Sequence, residues 1–94
     1  MNKIIVTRHP SLVAHLINLG LVDKTTPVFT HASVEVVTGK HVFGVLPMHL
    51  ACHAATITEI PLIIPYMLRG GAELNLSQIE QCAKPPETYK VARL

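Results

Sequence analysis

Residues 3–20 read KIIVTRHPSLVAHLINLG, and this stretch decides the fold. Lys3 to Thr7 is a short run rich in β-branched side chains, the composition of a buried strand. Arg8-His9 breaks the run. Pro10 then supplies the fixed φ that suits a helix's first turn. Leu12, Val13, Leu16 and Ile17 recur on one apolar face, and Gly20 stops the pattern. A strand, a short polar loop and a helix in this order form the opening half of a βαβ unit.

The rest of the chain repeats the alternation. Residues 27–31 (PVFTH) read as a second strand entered through Pro27. At 33–38 two readings stand: Ser33 caps a short helical turn, or 34–37 is extended. Gly39-Lys40 is a turn, and 41–46 (HVFGVL) reads as a third strand. Pro47 opens a helical pattern that runs to about Thr56. Residues 57–64 (ITEIPLII) read as a fourth strand, with Pro61 pushing it toward a sheet edge or a kink. Residues 65–74 form a loop containing Arg69-Gly70-Gly71. Ser77 and Glu80 have capping-box spacing for a last helix near 78–83. The expected fold is therefore α/β: a minimal Rossmann-like domain over 1–84, with a mostly parallel four-stranded sheet and flanking helices. Residues 85–94, beginning Pro85-Pro86, are expected to be a loose tail. The dinucleotide fingerprint GxGxxG is absent, so nothing supports a nicotinamide or flavin enzyme.

Length and composition agree with one domain. The 94 residues are 49% apolar and only 15% charged, against a usual charged share of about 25%. A disordered chain is excluded, and the sparse charge suggests that a partner covers part of the surface. The net charge of +2 is too weak for a protein that coats long nucleic acid, so any nucleotide ligand should be small and held locally. Cys52 and Cys82 sit in no CxxC, which predicts a reduced, cytoplasmic setting. The apolar run at the N-terminus is too short for a signal-peptide core. The uncharged stretch between Lys40 and Glu59 is interrupted by histidines, Gly44 and Pro47, so no membrane span is expected.

In open parallel sheets ligands bind outside the carboxyl ends of the strands. Thr7, Arg8, His9 and Ser11 stand at the end of the first strand, and His31 at the end of the second. Pro47, Met48 and His49 come after the third, and Arg69 lies in the loop after the fourth. This edge is cationic, and helix starts near Pro10 and Met48 add backbone N–H groups to it. An anion such as phosphate fits. No Asp or Glu falls in the first or third strand-end loop, whereas two-metal phosphodiesterases need acidic ligands. Phosphodiester cleavage here would take a metal-independent route, which suits RNA because its own 2′-OH can attack the adjacent phosphorus. On that reading Arg8 and His9 are the catalytic candidates, with His49 the alternative to His9 for orienting the 2′-OH or acting as general acid. Thr7, Ser11, Pro47, Met48, His49 and Arg69 are the ligand-binding candidates.

Plainer readings exist for the same residues. Arg8-His9 also fits a solvated turn, and His49 fits an exposed helix start. His31, His15 and His41 read as structural. His49 and His53 share a helix face at i and i+4, as in zinc-protease helices, but Leu50 stands where the glutamate base would be and no third ligand has diagnostic spacing. No metal and no cofactor are expected.

Three segments carry a family resemblance: VTRHPSLVAHL at 6–16, GVLPMHLA at 44–51 and EIPLIIPYMLRGGAEL at 59–74. Together they resemble a small CRISPR-associated accessory family found with type III systems, over roughly residues 3–80 and in the same order. Arg8 and His9 match its opening motif. Leu46, Pro47, Leu50 and Ala51 match its centre, and Arg69, Gly70, Glu73 and Leu74 its tail, which is here one residue longer. The resemblance implies a CARF-like fold and a ring nuclease, an enzyme that linearises cyclic oligoadenylate and so switches off type III antiviral signalling. Cyclic tetra-adenylate is the expected substrate, with 2′,3′-cyclic phosphate products; the two-fold symmetry such a ring can have, together with the low surface charge, leads to the expectation of a homodimer. The alternative is a module that binds and sequesters the ring without cutting it.

Overall fold

Lys3–Val6 forms the first strand, β1, with Ile4, Ile5 and Val6 buried, in a computed structural model that describes residues 2–65 and 73–94. Helix α1 comes next at Pro10–Asn18, then β2 at Val28–Phe29, α2 at Val34–Val37, β3 at His41–Gly44, α3 at Met48–Ala51 and β4 at Thr56–Glu59. Helix α4 spans Leu76–Cys82 and β5 spans Glu87–Tyr89. The sheet order is β2-β1-β3-β4-β5. The first four strands run parallel, and β5 joins β4 antiparallel.

Side chains alternate between the two faces of the sheet. Ile4, Val6, Val42 and Ile57 point to one face, where Val37 of α2 and Ala51 of α3 complete the packing. Ile5 and Phe43 point to the other and meet Leu12, Val13, Leu16 and Ile17 of α1. Helix α4 packs against α1. The α1 stripe read from the sequence is therefore the stripe that packs on the sheet, with Leu16 fully buried and Leu12, Val13 and Ile17 half-buried, and His15 on the same helix is buried as well.

The α/β Rossmann-like class holds at the coarse level, with a correction to the sheet. It has five strands and is mixed, not four strands and mostly parallel. The fifth strand comes from the segment expected as a loose tail. Ile57 pairs with Tyr89, Thr58 with Thr88 and Glu59 with Glu87, and the Thr58 and Thr88 hydroxyls bond at 2.8 Å. Beyond the strand, Lys90 Nζ donates to the Ala54 carbonyl (2.8 Å) and Val91 packs on the core. These contacts satisfy the edge that β4 would otherwise expose. β4 ends at Glu59, so Pro61 lies outside the ladder and does not make this strand an edge. The other boundaries are shorter than expected: β2 has two residues, β3 stops at Gly44, and α3 is a single turn.

Residues 34–37 are helical, with Ser33 Oγ accepting the Val36 N–H (3.3 Å). The last helix begins before the expected Ser77–Glu80 box. Asn75 is its N-cap: its side chain accepts the Gln78 N–H (2.8 Å), while Gln78 Oε1 accepts the Asn75 N–H (3.0 Å). Among the described residues no helix is long and apolar enough to cross a membrane.

Candidate functional site

The strand order places a switch point between β1 and β3. From β1 the chain leaves to α1 on one face, and from β3 it leaves to α3 on the other. The two loops diverge and leave a crevice at the carboxyl edge, the place where open α/β sheets bind ligands. Gly44 sets how closely β1 and β3 approach there. Its φ is +138°, and a Cβ on it would stand 2.1 Å from the Val6 carbonyl oxygen. Only glycine allows this register.

A cavity of about 360 Å³ opens on the α1 side of the crevice. Thr7, Arg8 and His9 line one wall, with Thr30 at the end of β2, Val45 after β3, and Ile60 and Leu62 beyond β4. Its floor is apolar, built in part by Leu12 and Leu16 of α1. The arrangement is a hydrophobic hollow whose rim carries the Arg8 guanidinium beside the His9 ring, which suits a ligand carrying both an apolar part and a phosphate.

The β1–α1 loop is fixed by its own backbone. The His9 N–H donates to Thr7 Oγ1 (3.1 Å), and the His9 carbonyl accepts from Leu12 (3.0 Å) and Val13 (3.4 Å), which makes His9 the N-cap of α1. Pro10 lacks an N–H, so Ser11 offers the helix's first donor. The His9 ring meets a second element: Nδ1 lies 3.0 Å from Glu73 Oε1, with the two side chains 62% and 49% exposed. A carboxylate only accepts, so Nδ1 carries the proton in this contact and Nε2 is the free nitrogen. An ion pair this exposed contributes about 0–1 kcal/mol to stability. Its consequence is where the ring stands.

The other sequence candidates divide. Thr7, Arg8 and His9 come together in one cavity, with half-buried Ser11 one residue into α1. His49 does not join them. It lines a separate groove with Met48, Cys52 and Arg93, because α3 is only one turn long and carries His49 along the outside of the sheet's opposite face. Met48 also lines a cavity of about 300 Å³ on that face, with Glu59, Tyr89 and Val91. Pro47 is the exposed N-cap of α3. A single turn has little dipole, so the expected second helix start contributes little to an anion site. Arg69 lies outside the described residues. His31 is exposed at the end of β2, His41 is tied to Thr56 Oγ1 (2.7 Å), and His53 is exposed. Among the described residues no three His, Cys, Asp or Glu side chains form a metal cluster.

Sequence reasoning missed two features of the site. Thr30 and Val45 gave no chemical signal. Glu73 was visible only as a tail-motif residue, and its partner lies 64 positions away. No curated protein and no solved structure matches the chain. One family model does match, over residues 4–92, spanning every strand of the sheet and the loops of the crevice; the chain belongs to the family described as "Putative CRISPR-associated protein (Cas_VVA1548)".

Proposed function

We propose that this CRISPR-associated protein is a ring nuclease that binds cyclic oligoadenylate, with the tetramer as preferred ring, and opens it without a metal. The observation that carries the reading is the convergence of Thr7, Arg8 and His9 on one cavity at the β1/β3 switch point. Arg8 holds the scissile phosphate and offsets the charge that gathers on its oxygens as phosphorus becomes pentacoordinate. The adjacent 2′-oxygen attacks phosphorus and the P–O5′ bond breaks. His9 enters the step as the imidazolium: Nε2 gives its proton to the departing O5′, which leaves the neutral Nδ1–H ring, and the 2′-OH proton passes to water. The products are linear oligoadenylates ending in 2′,3′-cyclic phosphate. Thr7 and Ser11 hold neighbouring oxygens. A cyclic tetramer can have two-fold symmetry, and a C2 homodimer would present the same crevice to it twice. Val45 and Met48, 75% and 73% exposed beside the crevice, are surface such a dimer would cover.

The test is a single-turnover assay with protein in excess, EDTA present and labelled cyclic tetra-adenylate, run with Arg8→Ala alongside. Linear product from the wild type, slowed about 10²-fold or more in the variant, is expected. A ring that stays intact while bound would replace cleavage with sequestration. Neither binding nor cleavage would sink both readings.

A further inference from the structure

We infer that Glu73 is the positioning residue for His9, holding the imidazole so that Nε2 faces the ligand; this rests on the role proposed above for His9. The contact joins two fixed points. His9 is the N-cap of α1, with its N–H on Thr7 Oγ1 and its carbonyl on the first turn of the helix. Glu73 stands two residues before Asn75, whose reciprocal bonds with Gln78 set how the chain enters α4. Since α4 packs against α1, the helix pair brings His9 and Glu73 to 3.0 Å although they are far apart in sequence.

The contact dictates the chemistry. An unpartnered neutral imidazole carries its proton on either nitrogen and turns about χ2. A carboxylate at Nδ1 selects the Nδ1–H form and stops the rotation. The nitrogen left free is then always Nε2, and it stays at the rim shared with Arg8. Both side chains remain exposed, so the contact leaves Nε2 open to a ligand. Glu73 touches no reacting atom in this scheme; it acts through His9.

The experiment compares Glu73→Ala, Glu73→Gln, His9→Ala and the double alanine variant in the single-turnover cleavage of cyclic tetra-adenylate. Glu73→Ala should slow the cleavage step about tenfold or more, and the protein concentration giving half-maximal rate should change less than about twofold. Glu73→Gln keeps an oxygen that accepts the Nδ1–H, so it should hold the rate within about threefold of wild type. In the His9→Ala background Glu73→Ala should add nothing. An additive effect there, or one confined to binding, would overturn the inference. A second measurement does not depend on cleavage: ¹H–¹⁵N correlation spectra of the His9 ring, at a pH where it is neutral. The Nδ1–H tautomer is expected in the wild type and a shift toward Nε2–H in Glu73→Ala. Nε2–H in the wild type overturns the inference and leaves the nuclease reading standing. An intact Nδ1–H form together with wild-type cleavage by His9→Ala overturns the role of His9 itself.

Discussion

Replacing Gly44 by alanine should damage the fold and the crevice together. The position has φ +138°, and the added methyl would meet the Val6 carbonyl oxygen at 2.1 Å and its carbon at 3.1 Å. Neither atom is the end of a flexible side chain. Both belong to β1's backbone, at the register where Val6 pairs with Gly44. The backbone strain alone costs about 1–3 kcal/mol. Relieving the collision requires β1 and β3 to part at their carboxyl ends, which weakens at least one or two ladder hydrogen bonds at about 0.5–1.5 kcal/mol each. The total is about 1.5–6 kcal/mol. For 94 residues the whole stability should be about 5–14 kcal/mol, so the variant loses a large part of it. Gly39→Ala is the control: its φ is +72° but nothing lies within 4 Å of the added methyl, so it should lose only the strain. Thermal unfolding monitored by circular dichroism should put Gly44→Ala at least about 10 °C below wild type and clearly below Gly39→Ala. Equal midpoints for the two variants would refute the argument from close strand approach.

Two more outcomes rest on single side chains. The Tyr89 hydroxyl donates to Glu87 Oε2 (2.5 Å), and the carboxylates of Glu87 and Glu59 disfavour the phenolate, pushing its pKa up to about 12. Because the folded value lies above the ordinary 10.0, this contribution to stability is complete below pH 10 and is lost as pH rises toward 12; phenolate absorbance of Tyr89 in a Tyr66→Phe background should show it, and Glu87→Gln should bring the titration back toward 10. His15 is 8% exposed on the buried side of α1, and its Nδ1 has no hydrogen-bond partner among the described residues. His15→Leu should therefore raise stability by about 1 kcal/mol or more in urea unfolding, and a loss of stability would mean that the ring is satisfied after all.

What the sequence made legible was local, and what it hid was made by pairing at a distance. β1 and α1 could be read because each residue's own preference agrees with its neighbours': β-branched side chains, then Pro10, then an apolar stripe and Gly20. The same agreement put Thr7, Arg8 and His9 at a strand's carboxyl end, where the cavity is found. β5 has no such signature. Glu87-Thr88-Tyr89 comes after two prolines and is exposed throughout, and it is a strand only because β4 offers it a partner. Capping was ambiguous for a different reason. Asn75–Gln78 and Ser77–Glu80 both have the spacing of a box, and only one can start the helix. In the fold the reciprocal bonds form between Asn75 and Gln78, and the helix that starts there buries Ile79 and Cys82.

The candidate residues obey the same division, which is why His49 lies apart from the cavity that holds His9 and why the pairing of Glu73 with His9 gave no signal. Counting His9 and His49 alike as strand-end residues treated the edge of the sheet as one surface. It is two, because the chain leaves β1 and β3 toward opposite faces. His49 rides on the single turn of α3 and falls into the groove with Cys52 and Arg93. His9 caps the first turn of α1, which packs with α4, and so it meets the residue that leads into α4. A histidine's partner is thus set by which helix comes after it and what that helix packs against. The identity of its loop does not decide the matter, and a reading confined to the loops could not have paired Glu73 with His9.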